Sequence, residues 1–111
     1  MERQTFTDLV ANLPEVEPGG HMGALDFRLR KKIFATLTQE DVAGFKLTPE
    51  TQAILMSKAA YTYNANGGRG ERGWTKAPLA DLTQEDAELA LREAWRGCAS
   101  KRQLAALDAA S

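Results

Sequence analysis

Two runs of residues, Leu25-Asp26-Phe27-Arg28-Leu29 and Lys32-Ile33-Phe34-Ala35-Thr36-Leu37, are separated by only two positions. The first alternates apolar and polar side chains, and the second is rich in strand formers, so both read as strands. A gap this short cannot hold a crossover, which makes the pair an antiparallel hairpin with Arg30-Lys31 as its turn. Paired residues share a face. With Arg30-Lys31 as the turn, Leu29 faces Lys32 and Phe27 faces Phe34. That puts Leu25, Phe27, Leu29 and Phe34 on one side, and Arg28, Ile33, Ala35 and Leu37 on the other. A two-residue turn calls for positive φ, which Arg and Lys adopt poorly. The same turn concentrates charge, in Arg28, Arg30, Lys31 and Lys32.

The rest of the chain is read around this hairpin. Thr5–Leu13 is expected to be a short helix with Thr5 as a weak cap, an apolar stripe of Phe6, Leu9, Val10 and Leu13, and Pro14 as its stop. Glu15–Gly23 reads as a turn-rich connection. Gln39–Asp41 makes a second turn before a third strand, Val42–Leu47. Thr48-Pro49-Glu50 starts a helix running to about Lys58, with Thr as cap and Pro at the first helical position. Tyr61–Gly73 is loop-like at its centre, and Trp74–Leu79 can be a strand that Pro78 marks as an edge or an end. Thr83 then caps a helix whose Ala87, Ala90, Leu91, Ala94, Trp95 and Cys98 form one buried stripe. Ser100 begins a last helical piece carrying Leu104 and Leu107. The pentapeptide LTQED occurs at Leu37–Asp41 and Leu82–Asp86, but the flanks do not repeat. Strands grouped between helices and joined by tight hairpins indicate an α+β fold, two layers deep, with an antiparallel sheet packed on helices.

A chain of 111 residues fits one domain, residues 1–111, and the 43% apolar content argues against disorder. A single cysteine, Cys98, cannot form an internal disulfide. Together with a single His21 it makes a poor metal site, so no metal is expected. No apolar run approaches the roughly 20 residues that span a bilayer, and the start MERQTFTD does not resemble a signal peptide; the expected location is the cytoplasm, with no membrane partner. Net charge is −1, so a nucleic-acid role would have to rest on segregated charge. No Ser, Cys or carboxylate pairs with His21 at a spacing that supports catalysis, and Glu85, Asp86 and Glu88 suit the start of a helix dipole better than an acid–base dyad. No catalytic residue, no cofactor and no enzymatic activity are expected.

The remaining signals each admit two interpretations. Arg28, Arg30, Lys31 and Lys32 on a projecting β-ribbon could contact phosphates, or could form a solvated turn that blocks edge pairing. Arg69 and Arg72, with Lys76, flank glycines that would let backbone N–H groups approach phosphates; no phosphate-loop motif is present, and a plain surface loop fits as well. Lys101 and Arg102 sit at a helix start, against the dipole, which suits either an anionic partner or an ordinary exposed pair. Trp74 could stack on a base or pack in the core, and Tyr61 and Tyr63 are open in the same way. Trp95 and Cys98 belong to the buried stripe.

The ordered set Phe27-Arg28-Leu29, Lys32–Leu37, Phe45-Lys46-Leu47, Gly73-Trp74, Ala94-Trp95-Arg96 and Ser100-Lys101-Arg102, with His21-Met22-Gly23 before the first strand, resembles the MmcQ/YjbR family across nearly the whole chain. The resemblance implies an α-β(3)-α-β(2)-α fold and DNA binding through two projecting loops, a double wing. Here the wings would be the hairpin around Arg28–Lys32 and the loop around Gly67–Trp74. The binding residues would then be Arg28, Arg30, Lys31, Lys32, Arg69, Arg72, Trp74, Lys101 and Arg102, acting on the DNA phosphate backbone. The alternative is a protein-interaction or self-associating module, meeting a protein partner or a second copy through an open sheet face with Ile33, Ala35 and Leu37.

Overall fold

The computed structural model describes residues 1–21, 23–57, 64–65 and 73–110. Among these, six strands form one antiparallel sheet: β1 (Glu17–His21), β2 (Ala24–Leu29), β3 (Lys32–Leu37), β4 (Val42–Lys46), β5 (Asn64–Ala65) and β6 (Trp74–Pro78). Their order across the sheet is β1-β2-β3-β4-β6-β5. The helices are α1 (Arg3–Ala11), α2 (Pro49–Met56), α3 (Gln84–Cys98) and α4 (Lys101–Ala110), with a single 3-10 turn at Leu79–Asp81. The α+β class with an antiparallel sheet packed on helices is therefore observed. No helix among the described residues is long and apolar enough to cross a membrane.

The core lies between one sheet face and the helices. α3 packs on β3 and β4, bringing the fully buried Ala87, Ala90, Ala94 and Trp95 of the expected stripe against Phe34, Leu37 and Phe45. Small residues on α3 let its axis approach the sheet closely, while Trp95 fills the space beside it. Phe6 of α1 sits with its ring 6.2 Å from that of Phe27 and 6.0 Å from that of Phe45, both tilted. Such pairs add about 0.5–1.5 kcal/mol to simple burial. The Trp95 indole N–H donates to the Pro14 carbonyl at 2.9 Å, tying the end of the α1 segment to α3.

Three local expectations change. First, Glu17–His21 is a strand, in register with Arg28 back to Ala24, and not part of a turn-rich connection over Glu15–Gly23. Its glycines permit this: a side chain at Gly20 would collide with the Ala24 carbonyl oxygen across the ladder. Second, α1 starts at Arg3, and Thr5 is not its cap. The Arg3 guanidinium instead donates to the carbonyl oxygens of Thr38 and Gly23 and to Asp41. These bonds hold the first turn down without a side-chain cap. Third, the hairpin register shifts at Phe27/Arg28, so that Leu29 opposes Lys32 and Arg28 opposes Ile33, but Phe27 opposes Ala35. This β-bulge adds one residue to β3 and brings Ala35 and Leu37 to the inward side alongside Phe34, all fully buried. The open face expected to carry Ile33, Ala35 and Leu37 thus keeps only Ile33, which is half-buried.

The capping signals are observed. Thr48 accepts from the Thr51 N–H at 3.2 Å with Pro49 opening α2, and Thr83 accepts from the Asp86 N–H at 3.1 Å at the start of α3. Both copies of LTQED use their threonine this way, since Thr38 Oγ1 accepts from the Val42 N–H at 3.0 Å. One closes a turn between strands and the other opens a helix. Ser100 and Gln103 cap α4 reciprocally: the Ser100 N–H donates to Gln103 Oε1 at 2.9 Å, and the Gln103 N–H donates to Ser100 Oγ at 3.2 Å.

Candidate nucleic-acid interface

At the hairpin turn two consecutive non-glycine residues occupy left-handed backbone. Arg30 has φ 54° and Lys31 has φ 66°, the left-handed pair that defines a type I′ turn and matches the twist of the strands it joins. Asn and Gly take these angles readily; Arg and Lys take them at a cost of roughly 1 kcal/mol each. β1 pairs no further than Arg28, and β4 pairs with β3 from Ala35 onward. The closing pair Leu29–Lys32 and the turn therefore extend past both neighbouring ladders. Leu29 is buried beneath this tip, while Arg30, Lys31 and Lys32 are exposed.

Topology gathers the other cations at the same end of the sheet. Lys46 ends β4 directly opposite Trp74, which begins β6. The Leu47 N–H donates to the Gly73 carbonyl at 2.9 Å, and Ala65 of β5 lies beside Thr75. Both ends of the segment between β5 and β6 are thus anchored at the hairpin-tip end. Arg69 and Arg72 themselves lie outside the described residues, as do Tyr61 and Tyr63. The last turns of α3 reach this end too, since Glu93, Ala94, Gly97 and Cys98 border the same small hollow as Lys46, Leu47 and Thr48. α4 follows at once with exposed Lys101 and Arg102. Lys46 was not singled out from sequence, although its place one residue beyond buried Phe45 marks it as outward-facing.

The cations at this end are not equivalent. Arg28 Nε lies 3.1 Å from Asp26 Oδ1 on the outer sheet face, a bond that holds its guanidinium still more firmly protonated, with Glu17 adding to the effect. Arg102 lies 3.0 Å from Glu15 Oε1, and its hydrogen bond, seconded by Gln103, pulls the Glu15 carboxyl below its ordinary range. Arg28 and Arg102 are thus neutralised locally. Arg30, Lys31, Lys32, Lys46 and Lys101 form no ion pair among the described residues. On the outer face, the Trp74 ring leans over Gly44, its Cζ3 being 3.9 Å from where a Cβ would stand. Trp74 is half-buried there with Lys76 on the same strand, so it is neither a core residue nor fully open.

The opposite end of the sheet has the opposite character. Exposed Glu40 and Asp41 occupy the β3–β4 turn, and the Leu79 N–H donates to the Asp41 carbonyl at 2.9 Å, bringing Asp81 and the acidic first turn of α3 alongside. Arg3 is spent on this end, 2.8 Å from Asp41. No group of three or more potential metal ligands occurs among the described residues.

Comparison with known proteins agrees with this architecture. A crystal structure of a protein from Pseudomonas syringae superposes with a TM-score of 0.71 at 18% identity, covering 89% of this chain and all of the other. No curated protein matches the chain. The YjbR family profile matches residues 11–97. That stretch runs from the end of α1 through every strand and nearly all of α3, and on this breadth of agreement the chain belongs to the YjbR family.

Proposed function

We propose that this protein binds DNA without catalysing a reaction on it, in the cytoplasm, by presenting the hairpin tip and neighbouring cations to the phosphate backbone. The observation that carries this reading is the gathering of Arg30, Lys31, Lys32, Lys46 and Lys101 at one end of a molecule whose net charge is −1. A two-stranded ribbon is narrow enough to enter a major groove, and phosphate contacts need cations that are exposed and not already paired. The tip meets both conditions. Backbone strain at Arg30 and Lys31 supports the same reading, because strained residues concentrate at sites of use and these two carry the charge. Arg69 and Arg72 would extend the surface from the second loop. Trp74 would add stacking or apolar contact at its base.

The test is a titration of fluorescently labelled duplex DNA at about 50 mM salt, repeated at higher salt. Saturable binding that weakens steeply with salt, and that depends on Arg30–Lys32, is expected. Absence of binding at low salt, or binding indifferent to neutralisation of the tip, refutes the proposal.

A further inference from the structure

The sheet is wider than the helical layer that covers it. α3 lies over β3 and β4, and α1 reaches only as far as Phe27 and Phe45. On the core side of β1 and β2 this leaves a cleft of about 520 Å³ between α1, the 12–16 segment and the sheet. Its walls are apolar: Val10 and Leu13 on one side, Val16, Leu25 and Phe27 on the other. The volume lies within the range of small-molecule sites. A slot with a helix on one side and a strand pair on the other leaves room for a ring system between them.

One ionisable group, Glu15, stands in the lining. It is held in place from two sides, by φ 58° in its own backbone and by Arg102 at 3.0 Å. Ionised, it can only accept hydrogen bonds. The other polar side chain in the lining, Thr7, already donates its hydroxyl to the Gln4 carbonyl at 3.0 Å. Because Glu15 and Arg102 neutralise each other, the cleft offers an anion no free cation; a neutral ligand with a donor would be matched by a lone pair left on the carboxylate.

From this geometry we infer that the cleft is a binding site for an uncharged aromatic small molecule carrying one hydrogen-bond donor, directed at Glu15. The site is separate from the basic tip and does not depend on DNA binding. Two fluorescent probes that share a skeleton test it: N-phenyl-1-naphthylamine, neutral with one N–H, and its sulfonated analogue 8-anilinonaphthalene-1-sulfonate. The neutral probe should bind saturably and the sulfonate at least about tenfold more weakly, because the sulfonate loses water in an apolar cleft whose nearby cation is already paired with Glu15. Ala11→Trp, at an exposed last position of α1 that borders the cleft, should fill the slot and weaken the neutral probe by about tenfold or more. Thr7→Tyr does the same from the preceding turn and guards against a folding defect in the first variant. Glu15→Gln should narrow the gap between the probes to about threefold, because the sulfonate gains Arg102 as a partner. Equal binding of the two probes to the wild type, no saturable binding of the neutral one, or neutral-probe binding untouched by both filling variants would overturn the inference.

Discussion

Replacing Arg30-Lys31-Lys32 by Asn-Gly-Thr separates charge from fold more cleanly than any other change. Arg30 and Lys31 occupy left-handed backbone at φ 54° and 66°, where Asn and Gly are at ease. Lys32 opens β3 at an exposed position, where Thr is a good strand former. The triple variant Arg30→Asn/Lys31→Gly/Lys32→Thr should therefore be more stable than the wild type by about 1–2 kcal/mol, from relief of left-handed strain. The midpoint of denaturant unfolding reads this directly. Its DNA binding should change in the opposite sense. Each phosphate contact contributes about 0.9 to the slope of log K against log salt, so losing three lowers the slope by about 2.7. Across a fourfold rise, from about 50 to 200 mM salt, the wild type should then lose about 40-fold more affinity than the variant. Fluorescence anisotropy with a labelled duplex measures both curves. A companion variant, Arg28→Ala/Arg102→Ala, removes cations already neutralised by Asp26 and Glu15 and should lower the slope by less than about 1. An unchanged slope in the stabilised triple variant would refute the assignment of the tip as the contact surface. A drop in stability would refute the strain argument, whatever the DNA result.

Two further outcomes follow from the same geometry. Gly73→Ala places a Cβ against the Leu47 carbonyl at φ 101°, so it should break the link that anchors the second loop and destabilise the protein by about 1–3 kcal/mol, read by thermal or denaturant unfolding. Glu15 has a folded-state pKa lowered by Arg102. Its contribution is therefore complete above the ordinary carboxyl range and is lost as pH falls through the lowered folded value. Stability measured against pH should show that acid-side loss in the wild type and a smaller one in Glu15→Gln; identical profiles would show that the ion pair contributes nothing.

What the sequence disclosed depends on how local each signal is. The caps at Thr48 and Thr83 are written within four residues, and the structure forms both. Ser100-Lys101-Arg102-Gln103 carries an equally local capping box, written within four residues at the start of α4. The stripe from Ala87 to Cys98 repeats at helical spacing and is buried throughout. The hairpin and its two-residue turn were legible because strand runs so close together leave one topology. The bulge was not, because nothing local distinguishes one extra residue in β3 from a regular ladder. That single residue moved Ala35 and Leu37 from an expected open face into the core. β1 was hidden by its own composition: Pro18, Gly19 and Gly20 spell a turn, and only the neighbouring β2 makes them a strand. Of the candidate site, the charged residues were visible as a cluster. Their pairing state was not, since Glu15 meets Arg102 across most of the chain.

The separation of tip cations from the acidic far end has a consequence in the range of its field. The principal extents are 35, 32 and 26 Å, so the two ends of the molecule stand farther apart than the Debye length of about 8 Å at physiological ionic strength. A polyanion touching the tip then senses Arg30, Lys31 and Lys32, while Glu40, Asp41 and Asp81 are screened from it. At about 10 mM salt the screening length grows to about 30 Å and the polyanion senses the whole molecule, with its net charge of −1. Dilution of salt, which ordinarily tightens protein–DNA contacts without limit, should here bend the log–log line downward at its low-salt end, because the acidic pole comes back into view.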